Sequence, residues 1–281
     1  MEYVLDYKKV LSALPDRKLE SHKGDYGKIL LLCGSVGYTG AAALAAMGAL
    51  RSGAGLVYLG VPQSIYTIEA VKLTEAVVFP LPDHDGKLSR RAIAEILNKL
   101  PSMDAVLIGP GLGQSEDTFA VVKAVLENAT CPVVLDADGI NSMCTHIDLL
   151  RERTAVTVLT PHPGEFVRLG GKLTDDRVLQ AKTMASSLGC IMVLKGHHTV
   201  ITDGTDHFLN MTGNPGMAVG GSGDVLAGIT VSLIGQGIEP LKAAACAAWL
   251  HGKAGDECAR IYGEYGMLPG DLLGILPRLM K

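Results

Sequence analysis

The sequence predicts an α/β fold, a mostly parallel central sheet flanked by helices on both faces. Three observations point to it. Short runs that are apolar throughout recur along the chain, the pattern of strands buried on both faces. Helical segments lie between most of these runs, the alternation expected of parallel strands joined by crossovers. The 34 glycines and 13 prolines gather at the ends of the runs instead of forming linkers, so they punctuate elements.

Taken in order, Lys28–Cys33 is the first such run and closes on Gly34. Gly40–Leu50 reads as a buried helix, and Gly55–Val61, Asp104–Gly109, Pro132–Asp136, Ala155–Leu159 and Cys190–Leu194 repeat the strand pattern. Val200–Thr202 and His207–Asn210, separated by the turn Asp203-Gly204-Thr205, form a hairpin appended to the sheet. The last third is helical, over Asp224–Leu233, Leu241–Arg260 and Pro269–Leu279. Gly40–Leu50 and Val225–Gly235, the longest apolar stretches, have 11 residues each, against the roughly 20 that span a bilayer. With no repeat, low-complexity tract or linker, residues 1–281 are expected to form one domain.

Composition narrows the function. A chain of 281 residues with 48% hydrophobic and 19% charged positions buries a substantial core. A net charge of −4 supplies no basic field, so neither nucleic acid nor a membrane surface is expected as a partner. Met1–Val10 carries Glu2, Asp6, Lys8 and Lys9 around no apolar core, so it reads as neither signal nor anchor, and a cytoplasmic location is expected. The six cysteines form no CxxC pair, which argues for core thiols in a reducing compartment and against a zinc site.

In an open parallel sheet, ligands bind at the carboxyl ends of the strands. The chemically informative segments all fall there: Gly34–Gly40, Gly109–Gly113, Asp136–Asn141, Thr160–Glu165, Lys195–Thr199 and Gly213–Asp224. The last packs five glycines into 12 residues and runs straight into an apolar helix. Glycines permit close approach, and the free N–H groups at a helix start favour phosphate or a developing oxyanion. Asp224 stands in the first turn of that helix, where an acid is also a plain stabiliser. Gly34-x-x-Gly37-x-x-Gly40 is not the dinucleotide fingerprint Gly-x-Gly-x-x-Gly, which argues against a dehydrogenase.

The run Asn214–Asp224 followed by Val225-Leu226-Ala227-Gly228 resembles the signature of the ADP/ATP-dependent NAD(P)H-hydrate dehydratases, a branch of the ribokinase-like superfamily. Further matches are Thr160-Pro161-His162-Pro163-Gly164-Glu165, Lys195-Gly196-His197-His198-Thr199, Gly109-Pro110-Gly111-Leu112-Gly113, and Gly24–Gly34 leading into Gly37–Ala43 and then Arg51–Val57. Asp136-Ala137-Asp138-Gly139-Ile140-Asn141 also matches, with Ile140 a mild departure. The resemblance spans roughly residues 24–280 and is closest to the stand-alone bacterial type.

The resemblance implies a ribokinase-like fold and a set of roles. Gly221, Ser222 and Gly223 form an anion hole that ends in Asp224, the base on the acceptor hydroxyl. Glu165 holds Mg²⁺ through water, His162 standing where related kinases carry asparagine. Ala41, Gly111, Gly113, Asp138, His162 and Asp224 face the hydrated cofactor, and Lys195, Gly196, His197, His198, Thr199, Asn214 and Gly223 face the nucleotide. Bland alternatives stand beside these: Glu165 as a first-turn helix acid, His162 as a turn histidine, Lys195 as a strand-end cation, Asp138 as part of an Asp-Gly turn, and Gly40 and Ala41 as close helix–sheet packing.

The implied reaction is ADP- or ATP-dependent dehydration of the S form of hydrated NADH or NADPH, by phosphorylation of the C6 hydroxyl and elimination of phosphate. ADP is the donor that the stand-alone bacterial type prefers. A homo-oligomer is expected, a tetramer being one form, with an epimerase on a separate chain as functional partner. Two rivals are a small-molecule kinase of the same superfamily, releasing a stable phosphate ester, and a catalytically silent nucleotide sensor, which would show a degraded anion hole. Gly221–Asp224 is intact.

Overall fold

The computed structural model of the chain describes residues 2–3 and 5–281. Ten strands form one sheet: β1 (Glu2–Tyr3), β2 (Lys28–Leu32), β3 (Leu56–Pro62), β4 (Val77–Leu81), β7 (Ala105–Ile108), β8 (Val133–Leu135), β9 (Thr157–Leu159), β10 (Ile191–Leu194), β11 (Thr199–Thr202) and β12 (His207–Asn210). The remaining pair, β5 (Asp83–His84) and β6 (Lys87–Leu88), is a small separate hairpin. The helices are α1 (Tyr7–Ala13), α2 (Thr39–Arg51), α3 (Tyr66–Lys72), α4 (Ile93–Lys99), α5 (Glu116–Asn128), α6 (Asp138–Met143), α7 (Asp148–Glu152), α8 (Pro163–Arg168), α9 (Arg177–Leu188), α10 (Ser222–Gly235), α11 (Pro240–Tyr262) and α12 (Pro269–Leu279).

The strand order is β1-β12-β11-β10-β9-β8-β7-β2-β3-β4, and every pairing is parallel except those that β11 makes with β10 and β12. From β2 the chain first steps outward to β3 and β4, then returns to β7 on the other side and proceeds to β10. The reversal leaves a crevice at the carboxyl ends of β2 and β7, the place where open α/β sheets bind ligands.

The apolar runs divide between two faces because successive side chains of a strand point opposite ways. Ile29 and Leu31 of β2 pack with α2, α10 and α11, whereas Leu30 and Leu32 pack with residues of α4, α5 and α9. On the first face α2 and α10 approach backbone to backbone. A Cβ added to Gly48 would lie 2.7 Å from the Val225 carbonyl oxygen, and one on Gly228 would overlap the Ala45 carbonyl.

The six expected core strands and the hairpin are all present, and the three C-terminal helices run one or two residues beyond their expected bounds or match them. Two sheet strands lie outside that expectation. β1 pairs with β12, and β4 is an outer strand that carries Pro80, a residue that argues against a central strand and is tolerated at an edge. No helix among the described residues is long and apolar enough to cross a membrane.

Candidate active site

The loops after β2 and β7 are bound to each other across the crevice. Gly34 N–H donates to the Pro110 carbonyl at 2.8 Å, and the buried Ser35 hydroxyl donates to the Gly111 carbonyl at 2.7 Å. Gly111, at φ 64°, packs so closely on the start of α2 that an added Cβ would lie 2.9 Å from Ala41 Cβ. Gly113 N–H donates to Asp138 Oδ2 at 2.8 Å. Ala41, Gly111, Gly113 and Asp138 therefore make one continuous wall, within which the Asp138 carboxylate braces the loop.

Asp136-Ala137-Asp138-Gly139 is a tight turn closed by Gly139 N–H donating to the Asp136 carbonyl at 2.9 Å. Ala137 takes φ 48° and ψ −115°, near the first central position of a type II′ turn, where glycine is the usual occupant. The turn sends two carboxylates in different directions. Asp138 goes to the Gly113 loop, and the buried Asp136 accepts from Lys195 Nζ at 2.8 Å and from Thr160 Oγ1 at 2.7 Å.

Lys195, Asp136, Glu165 and Asp224 form one charge cluster. Burial works against the Lys195 ammonium, but Asp136, Glu165 and Asp224 outweigh it and push its pKa up. Burial raises Glu165, with Lys195 and the His162 N–H opposing. Burial also pushes Asp224 up to about 7, reinforced by the charge of Asp136 and opposed by Lys195. Glu165 is the third residue of α8 and caps it reciprocally with His162: His162 N–H donates to Glu165 Oε2 at 2.9 Å, and Gly164 N–H donates to His162 Nδ1 at 3.0 Å.

No group of three or more histidine, cysteine or acidic residues among the described residues closes around one point. A cation here would be held by few carboxylates with water completing its shell, which is how Mg²⁺ is bound. Three carboxylates set against one ammonium leave negative charge for it to offset. The donor set fits.

Gly221 caps α10 at φ 99°, with Ser222, Gly223 and Asp224 in its first turn. A Cβ on Gly223 would lie 3.2 Å from Lys195 Nζ, whereas one on Gly220 would meet nothing within 4 Å. At this helix start Ser222 N–H donates to the Val219 carbonyl at 3.3 Å, whereas the N–H groups that follow it lack intrahelical carbonyl partners. A cradle of such donors thus lies beside an ammonium and an aspartate of raised pKa. Ser222 Oγ lies 3.2 Å from Nε2 of His251, which reaches in from α11.

The nucleotide-side residues divide. The Lys195 ammonium turns inward to Asp136, while Gly196–Thr199 form a turn in which Gly196 has φ 147° and His198 φ 55°. The His197 and His198 rings lie 3.8 Å apart, and Thr199 Oγ1 donates to the Gly196 carbonyl at 3.0 Å. Arg177 splints this turn, its guanidinium donating to the carbonyls of Leu194, Lys195 and His197. Asn214 caps the short turn at Pro215, accepting from Gly216 N–H at 3.0 Å, and its amide donates to Asp256 of α11 at 3.3 Å. Arg177, His251 and Asp256 are candidate site residues that sequence reading does not single out, and Thr160 is legible only as the first residue of its motif; the one hint for His251 is a histidine inside an alanine-rich apolar helix.

The geometry has counterparts. Residues 29–278 match the family model for NAD(P)H-hydrate dehydratase. The chain is 46% identical over 277 residues to the bifunctional NAD(P)H-hydrate repair enzyme Nnr of Moorella thermoacetica, covering 96% of this chain and 52% of that enzyme. It thus spans about half the length of the bifunctional relatives. It is 38% identical to the ADP-dependent (S)-NAD(P)H-hydrate dehydratase of Bacillus subtilis, covering 97% of this chain and 95% of that one. The crystal structure of the ADP/ATP-dependent NAD(P)H-hydrate dehydratase of Bacillus subtilis co-crystallised with ATP/Mg²⁺ superposes with a TM-score of 0.82 at 36% identity, covering 98% of this chain and 96% of that chain. The architecture is ribokinase-like. With the match running through the crevice loops, the charge cluster and the cradle alike, the chain belongs to the NAD(P)H-hydrate dehydratase family.

Proposed function

We propose that this chain, acting as one catalytic unit over residues 1–281, dehydrates the S form of hydrated NADH and NADPH with ADP or ATP as phosphoryl donor. The observation that carries the reading is Asp224, raised to about 7 in the first turn of α10 beside the Lys195 ammonium. Hydroxide is a poor leaving group, so the C6 hydroxyl has to be activated. Asp224 takes its proton while the oxygen attacks the terminal phosphorus, and with ADP the bond to AMP breaks. The ring nitrogen's lone pair then expels phosphate, and loss of a proton from the adjacent ring carbon restores the dihydropyridine.

The N–H groups of Gly221 and Gly223 and the Ser222 hydroxyl at the start of α10, with Lys195, stabilise charge on the transferring group. Asp136, itself held by the Thr160 hydroxyl, holds Lys195 in place. Ala41, Gly111, Gly113 and His162 line the hydrate, with Asp138 bracing their loop; Gly196–Thr199 and Asn214 line the nucleotide. Magnesium held by Glu165 through water supplies positive charge to the phosphoryl oxygens. The crystal form of the Bacillus subtilis enzyme with ATP/Mg²⁺ and the ADP-dependent name of its relative support both donor and metal. An epimerase on a separate chain is the partner activity, supplying the S form, and a homo-oligomer is the assembly we propose.

The test is to incubate hydrated NADH with the protein, magnesium and ADP or ATP and follow the dihydronicotinamide absorbance. Recovery is expected only with metal and nucleotide, with AMP and free phosphate formed from ADP in step with NADH. Undiminished recovery without nucleotide overturns the phosphorylation route. A stable phosphate ester in place of free phosphate marks a small-molecule kinase instead.

A further inference from the structure

We propose that His251 is a positioning residue that holds the Ser222 hydroxyl as a side-chain arm of the anion cradle. The inference rests on the cradle receiving the transferring phosphoryl group. Between Gly220 and Gly223, Ser222 alone carries a side chain, so any donor beyond the backbone there is its hydroxyl. Ser222 is 9% exposed, and its Oγ lies 3.2 Å from His251 Nε2. Its neighbour Gly223 lies against Lys195 Nζ, and the Lys195 charge is also felt at His251, the partner of the hydroxyl.

His251 arrives from the buried stretch of α11 and is only 8% exposed, a polar residue in a run that holds the buried Leu250, Gly252 and Ala254. Buried polar groups are retained where they meet a partner, and the partner here is Ser222. Burial lowers the ring's pKa to about 4; a hydrogen bond to the Ser222 backbone opposes this, and the charge of Lys195 adds to it. The imidazole is therefore neutral at pH 7, with one N–H and one acceptor nitrogen. A neutral ring that donates from Nε2 to Ser222 Oγ fixes the rotamer and leaves the hydroxyl proton for a phosphoryl oxygen. A charged ring would instead add a second cation beside Lys195.

The experiment is a double-mutant cycle on the full chain, with kcat, the nucleotide KM and melting temperature measured for each protein. Ser222→Ala is expected to lower kcat by about 10- to 100-fold with little change in KM, the effect of losing one donor to the transition state. His251→Leu is expected to lower kcat by a similar factor in the wild-type background and by less than about twofold in the Ser222→Ala background. His251→Gln, which keeps a donor, is expected to recover part of the loss. Equal losses in both backgrounds, or no loss in either, overturn the proposal and return His251 to packing.

Should His251→Leu fail to fold, His251→Phe, which keeps an aromatic ring and carries no donor, forms the cycle in the two backgrounds with the same criteria. Wild-type protein without hydrate turnover would mean that the function reading had failed. The cycle is then read by calorimetry on affinity for ADP, magnesium and aluminium fluoride, a mimic of the transferring phosphoryl group, where non-additive losses support the pairing and additive losses or none refute it.

Discussion

Asp224 carries two measurable signatures that pull in opposite directions. Its folded-state pKa of about 7 stands above the ordinary 3.8, so the folded chain holds this proton more tightly than the unfolded chain. A raised carboxyl makes its full contribution to stability at pH below 3.8, and the contribution is lost as pH rises towards 7. Asp224→Asn removes the buried charge, so at pH 8 the variant is expected to melt above the wild type, by free energy on the order of 1–4 kcal/mol. That advantage should vanish near pH 4. Turnover should move the other way, falling by about 10²–10⁴-fold, and the residual rate should lose the rise through neutral pH that deprotonation of Asp224 gives the wild type. Normal turnover in the folded variant would remove Asp224 from the base role.

One element contact governs how the site is held together. α2 supplies Ala41 at its start and α10 supplies Asp224 at its start, and the two helices touch at backbone distance through Gly48 and Gly228. Gly228→Ala sets a methyl group into the Ala45 carbonyl and pushes the helices apart. Overpacking of this kind typically costs about 1–3 kcal/mol, so a fall in melting temperature of about 3–10 °C is expected, together with slower turnover because both helix starts move. Gly274→Ala, on α12 where an added Cβ meets nothing within 4 Å, is the control and should hold or raise stability. Equal behaviour of the two variants would show that the glycine contact does not set the helix spacing.

The same element scale shows what was legible in the chain beforehand. Strands buried on both faces announce themselves as unbroken apolar runs, and the contiguous run Gly213–Asp224 announces a cradle. β4 was hidden because Pro80 interrupts its pattern, a tolerance available only at the margin of a sheet. Lys195 reads as a nucleotide contact from its own segment, but its pairing with Asp136, 59 residues earlier in the chain, leaves no local trace. The Ser222–His251 pair spans 29 positions and Thr160–Asp136 spans 24. No local spacing carries such information, since the sheet order alone decides which strand ends become neighbours.

At the scale of the whole molecule, the crevice draws on residues from Gly34 to His251, supplied by the ends of β2, β7, β8, β9 and β10, the starts of α2 and α10 and the middle of α11. No single lobe or flap owns the site. A ligand that bridges all of these loops binds the folded chain and has nothing comparable to bind once any strand leaves the sheet. Occupancy at 100 times Kd raises the free energy of global opening by about 2.7 kcal/mol. In amide hydrogen exchange under conditions where the core exchanges through global opening, ADP with magnesium is therefore expected to slow β2, β7, β8, β9, β10 and α10 by one common factor of about 100 at that occupancy. Protection confined to α10 would mean that the cradle opens on its own. A common factor would make nucleotide supply a direct determinant of how long each copy of the enzyme survives unfolding and proteolysis, so that the co-substrate would govern turnover of the protein as well as turnover of the reaction.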